Sequence, residues 1–282
     1  QSVSQSVSQS VSLLACLPAC LPACLPACLL ACGAGSTAQP CAMRLLEHSA
    51  AGATVETVGG ARLRFDFRGE GDALEPLFAG TSWGAILWDP SLVLGQFLED
   101  LPVGALEGKR VVELGACCGL PGLVAALRGA ASTVLTDLDQ YTDAMRSAVT
   151  LNAPVLDGRA VATYELFWGG EQAKDFLAQH GAADVVLASD CVSTDVYGRE
   201  SWVALVETLR ALTKDRAYIC SIRRPNDGLD EFLALTDQVF PVHRVIPVEA
   251  APELAPALTM TAGHRFEVHE FRWTECGTDA NA

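Results

Sequence analysis

Residues 110–122, Arg-Val-Val-Glu-Leu-Gly-Ala-Cys-Cys-Gly-Leu-Pro-Gly, leave this chain few ways to fold. Arg110 to Leu114 is short, mostly apolar and carries two adjacent valines, the pattern of a buried strand. Gly115, Gly119 and Gly122 punctuate the turn that follows, and Leu123 to Leu127 opens an apolar helical run. Strand, glycine turn and helix start make a cradle for a nucleotide-like ligand. Glycines allow close backbone approach, and the helix N-terminus offers N–H groups.

Strand and helix patterns alternate from there on. Strands are expected at 110–114, 133–136, 160–164, 184–188 and 216–222, with helices at 121–128, 140–151, 171–179, 199–212 and 228–237. The last two strands, near 241–248 and 265–272, have no clearly amphipathic helix between them, so one of them should run antiparallel. The fold class is α/β: a doubly wound, Rossmann-like sheet of seven mostly parallel strands, with a small N-terminal β extension. Upstream, Asp89 and Pro90 read as the N-cap and first residue of a helix with a face of Leu92, Val93, Phe97 and Leu98. Residues 54–68 fit a β-hairpin around Gly59-Gly60, with Leu63, Phe65 and Phe67 opposed to Arg62, Arg64, Asp66 and Arg68. Three segments result: a leader over 1–43, a β-hairpin extension over 44–79 and the α/β domain over 80–282.

The leader has its own pattern. Residues 1–12 are three copies of Gln-Ser-Val-Ser, and 13–32 are five copies of a Leu-Leu/Pro-Ala-Cys tetrad. The tetrads have the length of a bilayer span, but Pro18, Pro22 and Pro26 spoil a helix, and no positive n-region precedes them. The segment reads as low-complexity and disordered, with a targeting or membrane segment as the alternative. No membrane role is expected of the main domain.

The formal net charge of −15 excludes nucleic acid as the expected partner, because phosphate binding needs clustered Lys and Arg. It suits basic protein segments or small neutral ligands. Six of the 11 cysteines lie at or before Cys41; Cys117, Cys118, Cys191, Cys220 and Cys276 are scattered beyond. These five show no CxxC or Cys/His ligand spacing, so no metal site is expected. A reducing, cytoplasmic setting is.

Ligands in a doubly wound sheet sit beyond the carboxyl ends of the strands. Three strand ends here are polar. Glu113 precedes the first glycine by two residues, and an acid there suits an ammonium group such as the α-amino group of S-adenosylmethionine. Asp137, about 20 residues beyond Gly115, ends the second strand, where an acid accepts both hydroxyls of a ribose. Ser189-Asp190 ends the fourth. Each has a plainer reading: a common strand turn, a helix cap at Asp137 with Asp139 as a competitor, a turn former at Asp190. Their consistent spacing favours one shared site.

These residues resemble the class I, seven-β-strand methyltransferases, and within them the methyltransferase-like protein-lysine methyltransferases. The resemblance covers about residues 80–225. It rests on Gly84-Ala-Ile-Leu-Trp-Asp-Pro-Ser-Leu-Val-Leu94, Val112 to Gly122, Leu135-Thr-Asp137, Asn152, Phe167-Trp-Gly169 and Ala188-Ser-Asp-Cys-Val192. It implies an S-adenosyl-L-methionine cofactor and a protein substrate with a lysine acceptor. It places Trp88 against the methionine end, Gly115, Ala116 and Cys117 in the turn below it, and Gly119 at the end of that turn. Asp137 is placed on the ribose, Trp168 on the adenine and Ser189 in the same pocket. Asp190, the expected catalytic residue, begins the segment that meets substrate and would orient the amine. For both tryptophans the plainer reading is core packing.

Two departures stand out. Cys117 occupies a family glycine position, where a Cβ crowds the ligand or resists a positive φ. Ser193 stands where the family's Asp-x-x-Tyr motif has tyrosine, with Tyr197 as a substitute if the loop folds back. Alternative readings are therefore another protein side chain or a small molecule as acceptor, or a non-catalytic binding module of the same fold. A monomer is expected.

Overall fold

The computed structural model describes residues 42–49, 51–67, 87–193, 198–224, 227–255, 258 and 265–273. Residues 1–41 of the expected leader, the expected domain boundary at residue 80 and Tyr197 lie outside them; Met43, assigned to the leader, is instead buried in the core. Seven strands form one sheet: β4 (Arg110–Leu114), β5 (Ser132–Asp137), β6 (Val161–Glu165), β7 (Ala183–Ser189), β8 (Thr213–Ile222), β9 (Val242–Val248) and β10 (Phe266–Arg272). Their order is β6-β5-β4-β7-β8-β10-β9. Neighbours from β6 to β8 pair in parallel. β10 runs antiparallel to both β8 and β9, as expected of one late strand. Strand order reverses at β4, and ligands of doubly wound sheets bind at such a switch point, here the carboxyl ends of β4, β5 and β7.

Among the described residues, three helices cover each face. Buried residues of α1 (Asp89–Asp100), α2 (Leu120–Leu127) and α3 (Asp139–Leu156) share one core with Val111, Val185 and Leu187. Those of α4 (Gly170–His180), α5 (Glu200–Leu212) and α6 (Leu229–Asp237) share the other with Val112, Leu114 and Val186. Alternating strand residues thus feed opposite cores, as the pleat requires. Two helix ends differ from expectation. Asp89 lies inside α1, and Trp88 is its N-cap, so Pro90 falls at the second helical position. α3 continues past residue 151 and through Pro154, because Leu156 is buried in the core and only one late hydrogen bond is forgone.

The N-terminal extension is a three-stranded antiparallel sheet of β1 (Arg44–Ser49), β2 (Gly52–Glu56) and β3 (Arg62–Asp66). The hairpin β2–β3 matches the expected one, but β1 was not anticipated. Val55, Leu63 and Phe65 bury into the α1–α3 core. Asn152 on α3 ties the extension down: Oδ1 accepts the Arg64 N–H at 2.7 Å, and Nδ2 donates to the Arg64 carbonyl at 2.8 Å. No helix among the described residues is long and apolar enough to cross a membrane.

Candidate cofactor and active site

The turn after β4 is held in an unusual shape. Gly115, Cys117 and Gly119 have φ of 60°, 53° and 74°. Cys117 thus takes the left-handed conformation its position was expected to demand, at about 1–2 kcal/mol for a residue with a Cβ. Asp137 holds it there: Oδ2 accepts the Cys117 N–H at 2.7 Å, and Oδ1 accepts the Leu138 N–H at 2.8 Å. The Ala116 N–H adds a bond to the Thr136 carbonyl at 2.9 Å, which fixes the turn to the tip of β5.

The glycines serve packing. A Cβ on Gly119 would lie 2.4 Å from Leu135 Cδ1, and one on Gly122 2.3 Å from Leu135 Cδ2. A Cβ on Gly115 would meet Cys191 Sγ at 2.8 Å and the Trp168 ring at 3.4 Å. The helix N-terminus is also less available than expected. The N–H groups of Gly119, Gly122 and Leu123 are engaged by the Ala116 carbonyl, Glu113 Oε2 and the Gly119 carbonyl, and Pro121 has none.

Glu113 has a different place from the one foreseen. It is wholly buried beneath the turn, with Oε2 accepting the Gly122 N–H at 2.8 Å. Oε1 has no hydrogen-bond partner among the described residues. Burial pushes its pKa up to about 8, against the Gly122 N–H, and the Asp137 carboxylate adds to the rise. Glu113 is thus mostly protonated at neutral pH and fastens the start of α2 to β4. Asp137 is half-buried at the rim. Burial raises its pKa to about 6, opposed by the two N–H bonds, so it is mostly ionised at neutral pH.

Trp168 follows β6, half-buried, its ring edge over Gly115. The next residue is anchored by the Gly169 N–H, which donates to Thr208 Oγ1 on α5 at 2.8 Å. Ser189, half-exposed, ends β7. Trp88 stands half-exposed at the head of α1, its carbonyl accepting the Ser91 and Leu92 N–H groups. Gly115, Ala116, Cys117, Asp137 and Trp168 thus converge on one turn. Cys191, read from sequence only as a buried thiol, forms its floor: the thiol contacts the Leu114 and Ser189 carbonyls at 3.5 Å. Burial keeps its pKa well above that of an ordinary thiol.

Asp190 was expected to orient an amine; in the structure its carboxylate pairs with Arg224. Arg224 donates Nη1–H to Oδ1 at 2.9 Å and Nη2–H to Oδ2 at 2.8 Å, a bidentate pair. Asp190 has φ 52°, and its N–H donates to the Cys220 carbonyl at 2.9 Å. The pair holds a left-handed residue where β7 leaves the sheet. Sequence reasoning missed Arg224. Its signal was the Arg223-Arg224 doublet directly after β8, the strand beside β7.

With this geometry in view, the comparisons with known proteins are specific. The lysine methyltransferase family model matches residues 78–239. The protein N-lysine methyltransferase METTL21A of Danio rerio is 38% identical over 164 residues, 57% of this chain and 70% of that protein. The secreted RxLR effector protein 48 of Plasmopara viticola is 33% identical over 132 residues, 43% of this chain and 66% of that protein. Among solved structures, a SAM-dependent methyltransferase from Agrobacterium tumefaciens superposes with a TM-score of 0.53 at 13% identity. It covers 81% of this chain and 72% of that one, a likeness of fold. The fold is that of a class I methyltransferase. The chain belongs to the lysine methyltransferase family, and its cofactor is S-adenosyl-L-methionine.

Proposed function

We propose that this chain transfers a methyl group to a lysine side chain of a protein substrate, with its cofactor at the tips of β4, β5 and β6. One observation carries the placement: the Asp137 carboxylate stands at the rim of a turn whose other side is Trp168 and whose floor is Cys191. The residues fit the cofactor. Each Asp137 oxygen accepts one backbone N–H and keeps a further lone pair for a ribose hydroxyl. The half-buried Trp168 offers an aromatic edge for adenine. When bound, S-adenosylmethionine supplies an electrophilic methyl on sulfur.

The chain's own contribution is alignment and a dry site. A lysine amine has a pKa near ~10.4 in water and attacks only when neutral. Burial beside Trp168 lowers that value. Asp190 acts through the Arg224 pair, fixing the backbone where β7 ends. The METTL21A relative, a protein N-lysine methyltransferase by name, supports lysine as acceptor. Ser193 in the tyrosine position keeps a second reading in play, in which another side chain or a small molecule is methylated. The same account has the protein monomeric and cytoplasmic, with no nucleic-acid substrate; the net charge of −15 supports the last point.

Incubation of the full chain with radiolabelled S-adenosylmethionine and a proteome extract tests the function. Label on lysine, located by mass spectrometry, is the expected result. Label on another residue overturns the acceptor, and absence of transfer overturns the activity.

A further inference from the structure

Cys117 and Cys118 place two thiols side by side on the cofactor turn, with Sγ atoms 3.7 Å apart. Both are reduced thiols in the structure. Cys117 is half-buried at the rim, and Cys118 is 5% exposed below it. We propose that the pair is a reversible covalent modification site, oxidised to a Cys117–Cys118 disulfide by low-molecular-weight disulfides such as glutathione disulfide, and that this bond disables the cofactor turn. The inference rests on the reading that this turn carries the cofactor.

The steps balance. The Cys117 thiolate attacks a sulfur of the small disulfide, forms a mixed disulfide and releases one thiolate. The Cys118 thiolate then attacks the Cys117 sulfur, closing the intramolecular bond and releasing the second. The cysteine pair loses two protons and two electrons, and the small disulfide leaves as two thiols. Relative exposure assigns the order: Cys117 is the less buried of the two, and Cys118 needs only to reach its neighbour. Cys191 stays outside the exchange, buried against Gly115 and the Leu114 carbonyl.

The turn cannot take this bond without moving. Adjacent Cα atoms lie ~3.8 Å apart, below the roughly 4.4–6.8 Å span of ordinary disulfides. The sulfurs must close from 3.7 Å to ~2.05 Å. Ring closure therefore rotates the backbone at Cys117, where the φ of 53° and the N–H bond to Asp137 define the turn. Asp137 loses a partner and the crevice its shape. A strained disulfide is also readily reduced, which makes the change reversible.

The experiment uses the purified full chain. Reduced protein is titrated with S-adenosylmethionine by calorimetry, oxidised with glutathione disulfide, titrated again, then reduced with dithiothreitol and titrated a third time. In parallel, mass spectrometry follows the tryptic peptide Val111–Arg128. Expected are a peptide lighter by two hydrogens, about tenfold or greater loss of affinity, and full recovery on reduction. Cys118→Ser should stop at a mixed disulfide on Cys117, and Cys117→Gly should bind the cofactor equally with and without oxidant. Failure to form the intramolecular bond, or its formation with unchanged affinity, overturns the inference and leaves the proposed function standing. Failure of the reduced protein to bind the cofactor overturns both.

Discussion

Replacing Glu113 with glutamine should stabilise the protein, and increasingly so as pH rises. Folded Glu113 keeps its proton up to about pH 8, whereas the unfolded chain releases it near the ordinary glutamate value of 4.5. Between these values the folded state binds more protons than the unfolded one, so stability falls with rising pH. A displacement from 4.5 to about 8 corresponds to ~5 kcal/mol between the protonated and ionised forms. Integrated from pH 5 to pH 8, the loss is about 3–4 kcal/mol. Glutamine copies the protonated acid: its carbonyl accepts the Gly122 N–H, and its amide replaces the oxygen without a described partner. Urea unfolding at a series of pH values should find Glu113→Gln and wild type similar near pH 5. By pH 8 the variant should be more stable by roughly 3 kcal/mol. Asp137, raised to about 6, adds a smaller slope of the same sign below pH 6, common to both proteins. Equal pH slopes would refute the assignment of Glu113 as a buried, protonated anchor.

Arg224→Ala leaves the Asp190 carboxylate, 12% exposed, without its bidentate partner. About 2 kcal/mol of stability should be lost, between the values for exposed and buried pairs, or roughly 4–8 °C in thermal unfolding. Turnover should fall more than cofactor affinity, and Arg224→Lys should restore only part of it because lysine lacks the fork; unchanged turnover would remove the pair from the activity. Gly119→Ala sets a Cβ 2.4 Å from the buried Leu135 and forces a non-glycine residue to φ 74°. A loss of about 2–4 kcal/mol in denaturant unfolding is expected, and a neutral change would show that the turn relaxes.

Much of this fold was readable because its strands are short apolar runs separated by helical periods. The strand ends fell within three residues of expectation, and the weakness of the link between the last two strands correctly marked one as antiparallel. β1 escaped because its residues are mostly exposed and its pattern does not alternate; pairing with β2, not burial, makes it a strand. The turn at 115–119 was legible, including the demand for a positive φ at Cys117, since a family glycine position states that demand directly. What its glycines face was not. Leu135 is remote in sequence, and only the β4–β5 pairing brings it beneath Gly119 and Gly122. Glu113 was assigned to a ligand because strand alternation does not tell a buried acid from an exposed one at a strand tip. Arg224 was missed because the β7–β8 pairing and the turn after β8, not any local spacing, bring it to Asp190.

Calorimetric titration of wild type and Asp137→Ala with S-adenosylmethionine, with circular dichroism to verify the fold, tests the central claim most directly. Two hydrogen bonds from ribose hydroxyls to a carboxylate, at ~1.5–3 kcal/mol each, predict at least about a hundredfold loss of affinity in a folded variant. Equal affinity in the two proteins would place the cofactor somewhere other than the tips of β4 and β5.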